Sequence, residues 1–315
     1  MSTLLVSQPN FESHVTPSGH PERAERIRAV EEALQRPRFD RLIRKNAPSA
    51  DLALAELVHG PGYLQRLRDA RPAEGIGRID EDTFISSGSL DAVATGLGGA
   101  LLALDTVLLG AADNAFCAIR PPGHHAEIDR PMGFCLVNTI AIVAREAQRK
   151  YGAERIAIID FDVHHGNGTQ DIFKAEPSVF YGSSHQFPLY PGTGGYGETG
   201  VGNIVNAPLP PNSGGAEMRD AYNERIFPAL YDFSPDLLLI SAGFDADHRD
   251  PLAQLNWGPN DFAWVTGRLM DFAEHHCEHR IVSLLEGGYD RGGLAEGVTA
   301  HVAMLLDGAV GKLDN

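Results

Sequence analysis

The amino-acid sequence predicts a mostly parallel α/β sheet covered by helices on both faces. Three observations lead there. Apolar runs of strand length recur along the 315 residues, helical patterns lie between them, and each run ends in residues able to do chemistry. The clearest is Ile156–Gln170, IAIIDFDVHHGNGTQ, an Ile-rich run that leads straight into Asp160, Asp162 and His164. Residues two apart on an extended chain point the same way, so these three share one side. Two carboxylates and an imidazole suit a divalent ion of zinc type. Three further runs behave alike. Ala115–Ile119 leads to His124 and His125, Leu237–Ser241 to Asp245, and Ile281–Leu285 to Tyr289. Ligands of open parallel sheets bind beyond the carboxyl ends of the strands, so the four runs are expected to serve one site.

The elements follow in order. Pro21–Leu34 has helical periodicity, with Ile27, Val30 and Leu34 on one face and Pro21 suited to the first turn. Asp51–Leu57 and Pro61–Arg68 read as short helices and Ile76–Ser89 as a polar loop. Leu90–Leu109 is a helix rich in Gly and Ala, which fits close burial. Asn138–Tyr151 is a helix leading to the Ile156 strand, and Asn167–Ala175 a turn and helix after it. Gln186–Asn212 is rich in Gly and Pro and reads as a long loop. Loops of that length in a compact fold are usually functional, and this one carries Tyr190, PGTGG and Tyr196. Ala216–Tyr231, Asn260–His276 and Gly292–Leu306 are helices. Without repeat or linker, residues 1–315 are expected to form one domain, with a core over about 4–306 and a frayed tail at 307–315.

Composition narrows the function. Forty-two acidic against 26 basic residues give a formal charge of −16. That disfavours nucleic acid as a partner, because phosphate backbones are gripped by Lys and Arg. It suits a cationic ligand, although solubility explains most of the charge. Cys117, Cys135 and Cys277 form no CxxC pair, which excludes a thiolate zinc knuckle and disfavours a disulfide framework. The N-terminus lacks the basic start of a signal peptide, and no uninterrupted apolar run reaches membrane-spanning length. A cytoplasmic protein without membrane partners is expected. Homo-oligomerisation is left open.

These motifs together resemble the zinc-dependent histone deacetylase family, and most closely its class II-like branch, which includes bacterial histone deacetylase-like amidohydrolases. The matching segments are HPERAERI (His20–Ile27), RPPGHHA (Arg120–Ala126), GFCLVN (Gly133–Asn138), IDFDVHHGNGTQ (Ile159–Gln170), YPGTGG (Tyr190–Gly195), SAGFDADHRDPL (Ser241–Leu252) and LEGGYD (Leu285–Asp290). They occur in family order. The resemblance implies the arginase–deacetylase fold, a three-layer α/β/α sandwich with long site-forming loops. It implies one catalytic Zn²⁺ held by Asp162, His164 and Asp245. By the same resemblance His124 and His125 flank the attacking water, Asp160 partners His124, and Tyr289 donates a hydrogen bond to the substrate carbonyl. Asn167 stands where another branch has Asp. A neutral amide orients His125 without stabilising its charge, so His125 is expected to be the general base.

The resemblance also implies a structural K⁺ held by Asp160, Asp162, His164, Ser183 and Ser184, several of them through backbone oxygens. Gly133, Phe134, Tyr190, Leu252 and Gly288 would form a narrow substrate tunnel, and Arg23 would stand at an internal acetate channel. The implied reaction hydrolyses an acylated amine, with acetyl-lysine foremost, to the free amine and acetate. An acetylpolyamine or another small amide is the alternative, and apolar Leu252 disfavours it because polyamine-selective relatives carry an acid there. A catalytically silent metal-bound module would not need Tyr289 and both histidines. An arginase-like two-metal site would need a carboxylate where Gly166 stands.

Overall fold

The computed structural model describes residues 1–308. The strands are β1 (Thr3–Ser7), β2 (Ile43–Asn46), β3 (Ile76–Arg78), β4 (Phe84–Ser86), β5 (Asn114–Ala118), β6 (Ile156–Asp160), β7 (Val179–Gln186), β8 (Ile204–Leu209), β9 (Leu237–Ala242) and β10 (Ile281–Leu285). Eight of them form one sheet in the order β2-β1-β5-β10-β9-β6-β7-β8. Every pairing within it is parallel. The four runs legible in the sequence, β5, β10, β9 and β6, are neighbours at its centre. All their carboxyl ends face one edge, which is what a shared site requires.

The helices are α1 (Glu25–Ala33), α2 (Tyr63–Ala70), α3 (Ser89–Leu108), α4 (Thr139–Tyr151), α5 (Asn167–Phe173), α6 (Gly215–Ala221), α7 (Phe227–Phe233), α8 (Pro259–His276) and α9 (Arg291–Asp307). They cover both faces of the sheet. Alternate residues of β6 show the layering: Ile156 and Ile158 enter one core with α3 and α4, while Ala157 and Ile159 enter the other with α8 and α9. A strand buried on both faces is apolar at every position, which is why the central strands read as continuous runs. This is the three-layer α/β/α architecture expected. By length and composition α3 could cross a membrane, but most of it is buried inside the fold.

Several expectations need correction. The polar loop at Ile76–Ser89 contains the antiparallel pair β3 and β4. The Gln186–Asn212 loop ends in an edge strand, β8, whose Pro208 is tolerated because an edge strand has donors to spare. β1, β2 and β7 were not anticipated. β2 is IRKN and exposed throughout, an edge guarded by basic side chains. β7 is VFYGSSHQ, polar in sequence yet fully buried, because its Ser and His side chains hydrogen-bond inside the protein. The first helix starts at Glu25, so Pro21 lies outside it. The Ala216–Tyr231 helix is interrupted by a π turn at Tyr222–Ile226. Asp307, assigned to the frayed tail, ends α9 and pairs with Arg41, while residues 309–315 of that tail lie outside the described residues.

Two buried histidines tie this frame together in their neutral form, His59 at a loop and His301 between α9, α8 and β10. His59 Nδ1 meets the Glu127 carbonyl at 2.9 Å, and its Nε2 accepts the Asn138 N–H at 3.0 Å where α4 begins. Burial lowers it to about 4. His301 bridges Thr266 and Ser283, and burial lowers it to about 3. The unfolded chain binds these protons from about pH 6.5 downward while the folded chain refuses them. Stability is therefore full above that pH and falls as pH drops toward each folded value, by about 1.4 kcal/mol per pH unit per group. Denaturant unfolding of wild type and His301→Gln between pH 7 and 5 should give a shallower loss for the variant. Identical slopes would contradict this assignment.

Candidate active site and metal centre

The site lies just beyond the carboxyl ends of the four central strands. β6 stops at Asp160, and the chain then bends so that Asp162 and His164 follow it into the edge. Asp245 arrives from the loop after β9. Asp162, His164 and Asp245 are buried, and each offers a donor atom within 4.8 Å of the others. His164 Nδ1 lies 3.1 Å from Asp162 Oδ1 and 3.3 Å from Asp245 Oδ2. A tetrahedral ion with bonds of about 2.0 Å separates its ligands by about 3.3 Å.

The donor set fits a cation on independent grounds. Asp245 Oδ2 is buried without a hydrogen-bond partner, a costly state for a carboxylate oxygen unless something positive faces it. Burial opposes a charge on His164, yet the Asp162 and Asp245 carboxylates outweigh burial and raise it to about 10. The cluster thus draws positive charge to this point. Backbone donors hold the carboxylates still: the Gly287 N–H reaches Asp162 Oδ2 at 2.8 Å and the Val163 N–H reaches Asp245 Oδ1 at 2.9 Å. A Cβ on Gly287 would stand 2.0 Å from Asp245 Oδ2, so only glycine allows the β10 loop this approach.

His124 and His125 stand beside the cluster on the loop after β5, with partners of different charge. His124 Nδ1 is 2.9 Å from Asp160 Oδ2. Burial disfavours its charge, but the Asp160, Asp162 and Glu286 carboxylates prevail and raise it to about 10. His125 Nδ1 donates to Asn167 Oδ1 at 2.8 Å, while the Asn167 amide donates to Glu127 at 2.7 Å. Burial and the neighbouring His124 and His164 charges push His125 well below its ordinary value. One imidazole is held charged and the other neutral, 4.0 Å apart by ring centroids.

A cavity of about 230 Å³ opens onto these groups, with His125 and His164 at its floor and Tyr289, Phe134, Leu189, Tyr190, Leu252 and Gly133 in its walls. Asp82 also lines it. Gly133 and Phe134 both have positive φ between Met132 and Cys135, a tight turn that thrusts the Phe134 ring into the wall. A Cβ at Gly133 would collide with His125 at 2.5 Å. Tyr289 is partly buried, its ring edge-on to Phe134. Among the described residues its hydroxyl has no hydrogen-bond partner.

Two expected placements fail. Arg23, expected at an internal channel, is exposed on the surface. The buried arginine of that segment is Arg26, three residues later and inside α1, which donates to the Gly288 and Glu286 carbonyls and lies 4.9 Å from the Tyr289 ring centroid. α1 turns Arg26 with Ile27 and Val30 toward the core, whereas Arg23 precedes the helix on the exposed approach to it. Gly288 does not line the cavity. It is buried behind the wall with φ near 119°, where an added Cβ would press on Leu294 and Phe244.

Three contributors were not singled out from the sequence. Tyr181 donates to Asp160 Oδ2 at 3.0 Å. Glu286 accepts the Gly123 and His124 N–H groups and the Ser241 hydroxyl, and burial, ahead of nearby carboxylates, raises it to about 7. Asp250, whose place in the loop after β9 suggests only loop-shaping, is buried beneath Tyr289. The signals were a Glu at a strand's carboxyl end and an acid two residues before Leu252. His165 has a structural place, with hydrogen bonds to Thr193 and Gln170.

The chain as a whole is similar to known proteins. Residues 20–305 match the family model for the histone deacetylase domain. A histone deacetylase-like amidohydrolase of Pseudomonas aeruginosa is 40% identical over 78% of this chain and 66% of that protein. A probable deacetylase of Archaeoglobus fulgidus is 38% identical over 92% of this chain and 82% of its own. The crystal structure of the HDA15 HD domain superposes with a TM-score of 0.91 at 33% identity, covering 97% of this chain and 88% of that one. With the matched region holding seven of the sheet's eight strands, the donor cluster and the tyrosine loop, the chain belongs to the histone deacetylase family, whose deacetylases and amidohydrolases hydrolyse amides of acylated substrates.

Proposed function

We propose that this protein is a zinc-dependent deacylase that cleaves the amide of an acylated primary amine, acetyl-lysine or a close analogue, to the free amine and acetate. The observation that carries the reading is a neutral imidazole and an unpartnered tyrosine hydroxyl facing the same small cavity beside a cation-seeking donor set. Asp162, His164 and Asp245 would hold the ion. A bound zinc ion supplies Lewis acidity toward the amide carbonyl and makes a coordinated water more acidic.

The chain's own residues do the rest. His125, neutral and oriented through Asn167, accepts the proton of the attacking water at Nε2. Asn167 is itself oriented by Glu127, so its oxygen stays on His125. His124, charged and anchored on Asp160, balances the negative charge that develops. Tyr289 donates its hydroxyl to the former carbonyl oxygen, where a positioned donor acts most strongly. The protonated His125 then returns its proton to the departing amine. The cavity's aromatic and aliphatic walls suit an unbranched methylene stem and exclude bulk water.

Asp160 and Ser183 are register partners on β6 and β7, and Asp162, His164 and Ser184 lie close by along the same strand ends, all buried. We keep a structural K⁺ at these residues as part of the proposal. A small cationic acylamine is the second reading. Asp82 favours it by placing a carboxylate at the cavity, and Leu252 opposes it by keeping the far wall apolar.

Acetyl-lysine peptides, acetylputrescine and acetylspermidine assayed side by side test the substrate class. Metal stripping should abolish turnover and zinc should restore it; undiminished hydrolysis by the stripped protein would end the proposal. Tyr289→Phe should lower kcat by about 100- to 1000-fold with bound zinc unchanged. Asn167→Asp places a carboxylate on His125 and favours its charged form. The base is then lost at higher pH, so the acid limb of kcat/KM should move upward. A limb that stays in place would remove His125 from the role of base.

A further inference from the structure

Among the described residues the Asp250 carboxylate accepts three hydrogen bonds, all from backbone N–H groups. Its Oδ2 accepts from Tyr289 at 2.7 Å and from Asp290 at 3.3 Å, and its Oδ1 accepts from Leu252 at 3.0 Å. The side chain is buried, 7% exposed, so it has little water to turn to. It therefore joins two loops that follow different strands. One leaves β9 and carries Leu252, a wall of the cavity. The other leaves β10 and carries Tyr289, which lines the same cavity.

The attachment point matters. Gly288, immediately before Tyr289, has φ near 119°, a conformation with little intrinsic preference to hold the next residue. Asp290, immediately after, caps α9 by accepting the Gly293 N–H. Asp250 accepts both N–H groups between these two, while Arg26 donates to the Gly288 carbonyl from the other side. The tyrosine hydroxyl lies at the far end of a long rigid side chain, so a small backbone rotation moves it much farther than it moves Cα. Asp247, the nearer acid of the same loop, is spent differently: it grips Arg249 through both carboxylate oxygens.

We propose that Asp250 is the positioning residue for Tyr289, a backbone clamp that sets the hydroxyl's place relative to Leu252 and so couples the oxyanion donor to the substrate wall. This rests on the deacylase reading above. Asp250 touches no substrate; it acts through Tyr289.

The test is a double-mutant cycle on the zinc-loaded full chain, using the best acylated amine from the substrate comparison. Asp250→Asn keeps one acceptor but turns an N–H₂ toward backbone donors on the other side. It should lower kcat by about 10- to 100-fold, as expected for a catalytic group misplaced by up to about 1 Å, with zinc content and KM little changed. In a Tyr289→Phe background the same change should cost less than about twofold, because a residue acting through the hydroxyl has nothing left to position. Wild-type kcat in Asp250→Asn, or its full penalty persisting beside Tyr289→Phe, overturns the clamp. If Asp250→Asn does not fold, Asp250→Ser, which keeps an acceptor and leaves room for water, takes its place in the cycle, with the same results expected and the same results overturning the clamp. An active wild type impaired by Tyr289→Phe but not by Asp250→Asn removes the clamp alone. A zinc-loaded wild type inert toward every acylated amine overturns the functional reading, and the clamp with it.

Discussion

Two buried carboxylates and an imidazole share one small volume at the edge of the sheet, and the surrounding structure is arranged around that fact. Asp162 and Asp245 would repel each other in a low-dielectric interior unless positive charge stood between them. The fold tolerates the arrangement by several means. Backbone N–H groups of Gly287 and Val163 absorb part of the negative charge. Glycine at position 287 lets the β10 loop come close enough to supply one of them. One oxygen, Asp245 Oδ2, accepts no hydrogen bond and faces only the His164 ring nitrogen, 3.3 Å away. A protein selected for stability alone would not bury such an oxygen, so the cluster reads as a place kept for a cation.

The two adjacent histidines show how neighbours assign opposite roles to one side-chain type. His124 and His125 are consecutive, both buried and in ring contact. Their difference lies in what their Nδ1 atoms meet. Asp160 brings a full negative charge to His124, and Asn167 brings only a dipole to His125. Once His124 is charged, it further disfavours a proton on His125. The pair is thus polarised as a unit, which places an acceptor for protons next to a fixed positive charge. Tyr181 and Glu127, one step further out, hold the Asp160 and Asn167 side chains in the orientations this requires.

The walls obey a different logic from the floor. The floor groups come from the ends of buried strands and inherit their rigidity. The walls come from loops, and each loop has its own internal tie. The Gly133–Phe134 turn is closed by the bridge between Met132 and Cys135, and Thr83 accepts the Phe134 N–H. Arg26 supports the other side of Tyr289, donating to the Gly288 carbonyl while lying against the ring. Such ties let a cavity made of loops keep a definite shape without a large core beneath it.

Much of this is legible without the fold. Strands buried on both faces are apolar throughout, so β5, β6, β9 and β10 stand out in the sequence, and the acids and imidazoles at their ends mark the site's edge. β7 and β8 do not, because Ser, His, Asn and Pro mask a strand whenever burial is secured by hydrogen bonds or by an edge position. The sequence by itself determined the fold class and the gathering of acids, imidazoles and a tyrosine at the strand ends, since each depends on local pattern and residue type, while the choice of Asp162, His164 and Asp245 as one donor set came from the motif resemblance. Only the tertiary structure decided that Arg26 rather than Arg23 faces inward, that Gly288 stands behind the wall, and that Glu286 and Asp250 support the site. Those outcomes depend on where a helix starts and on contacts between loops far apart in the chain, and neither leaves a mark in the spacing of residues along it.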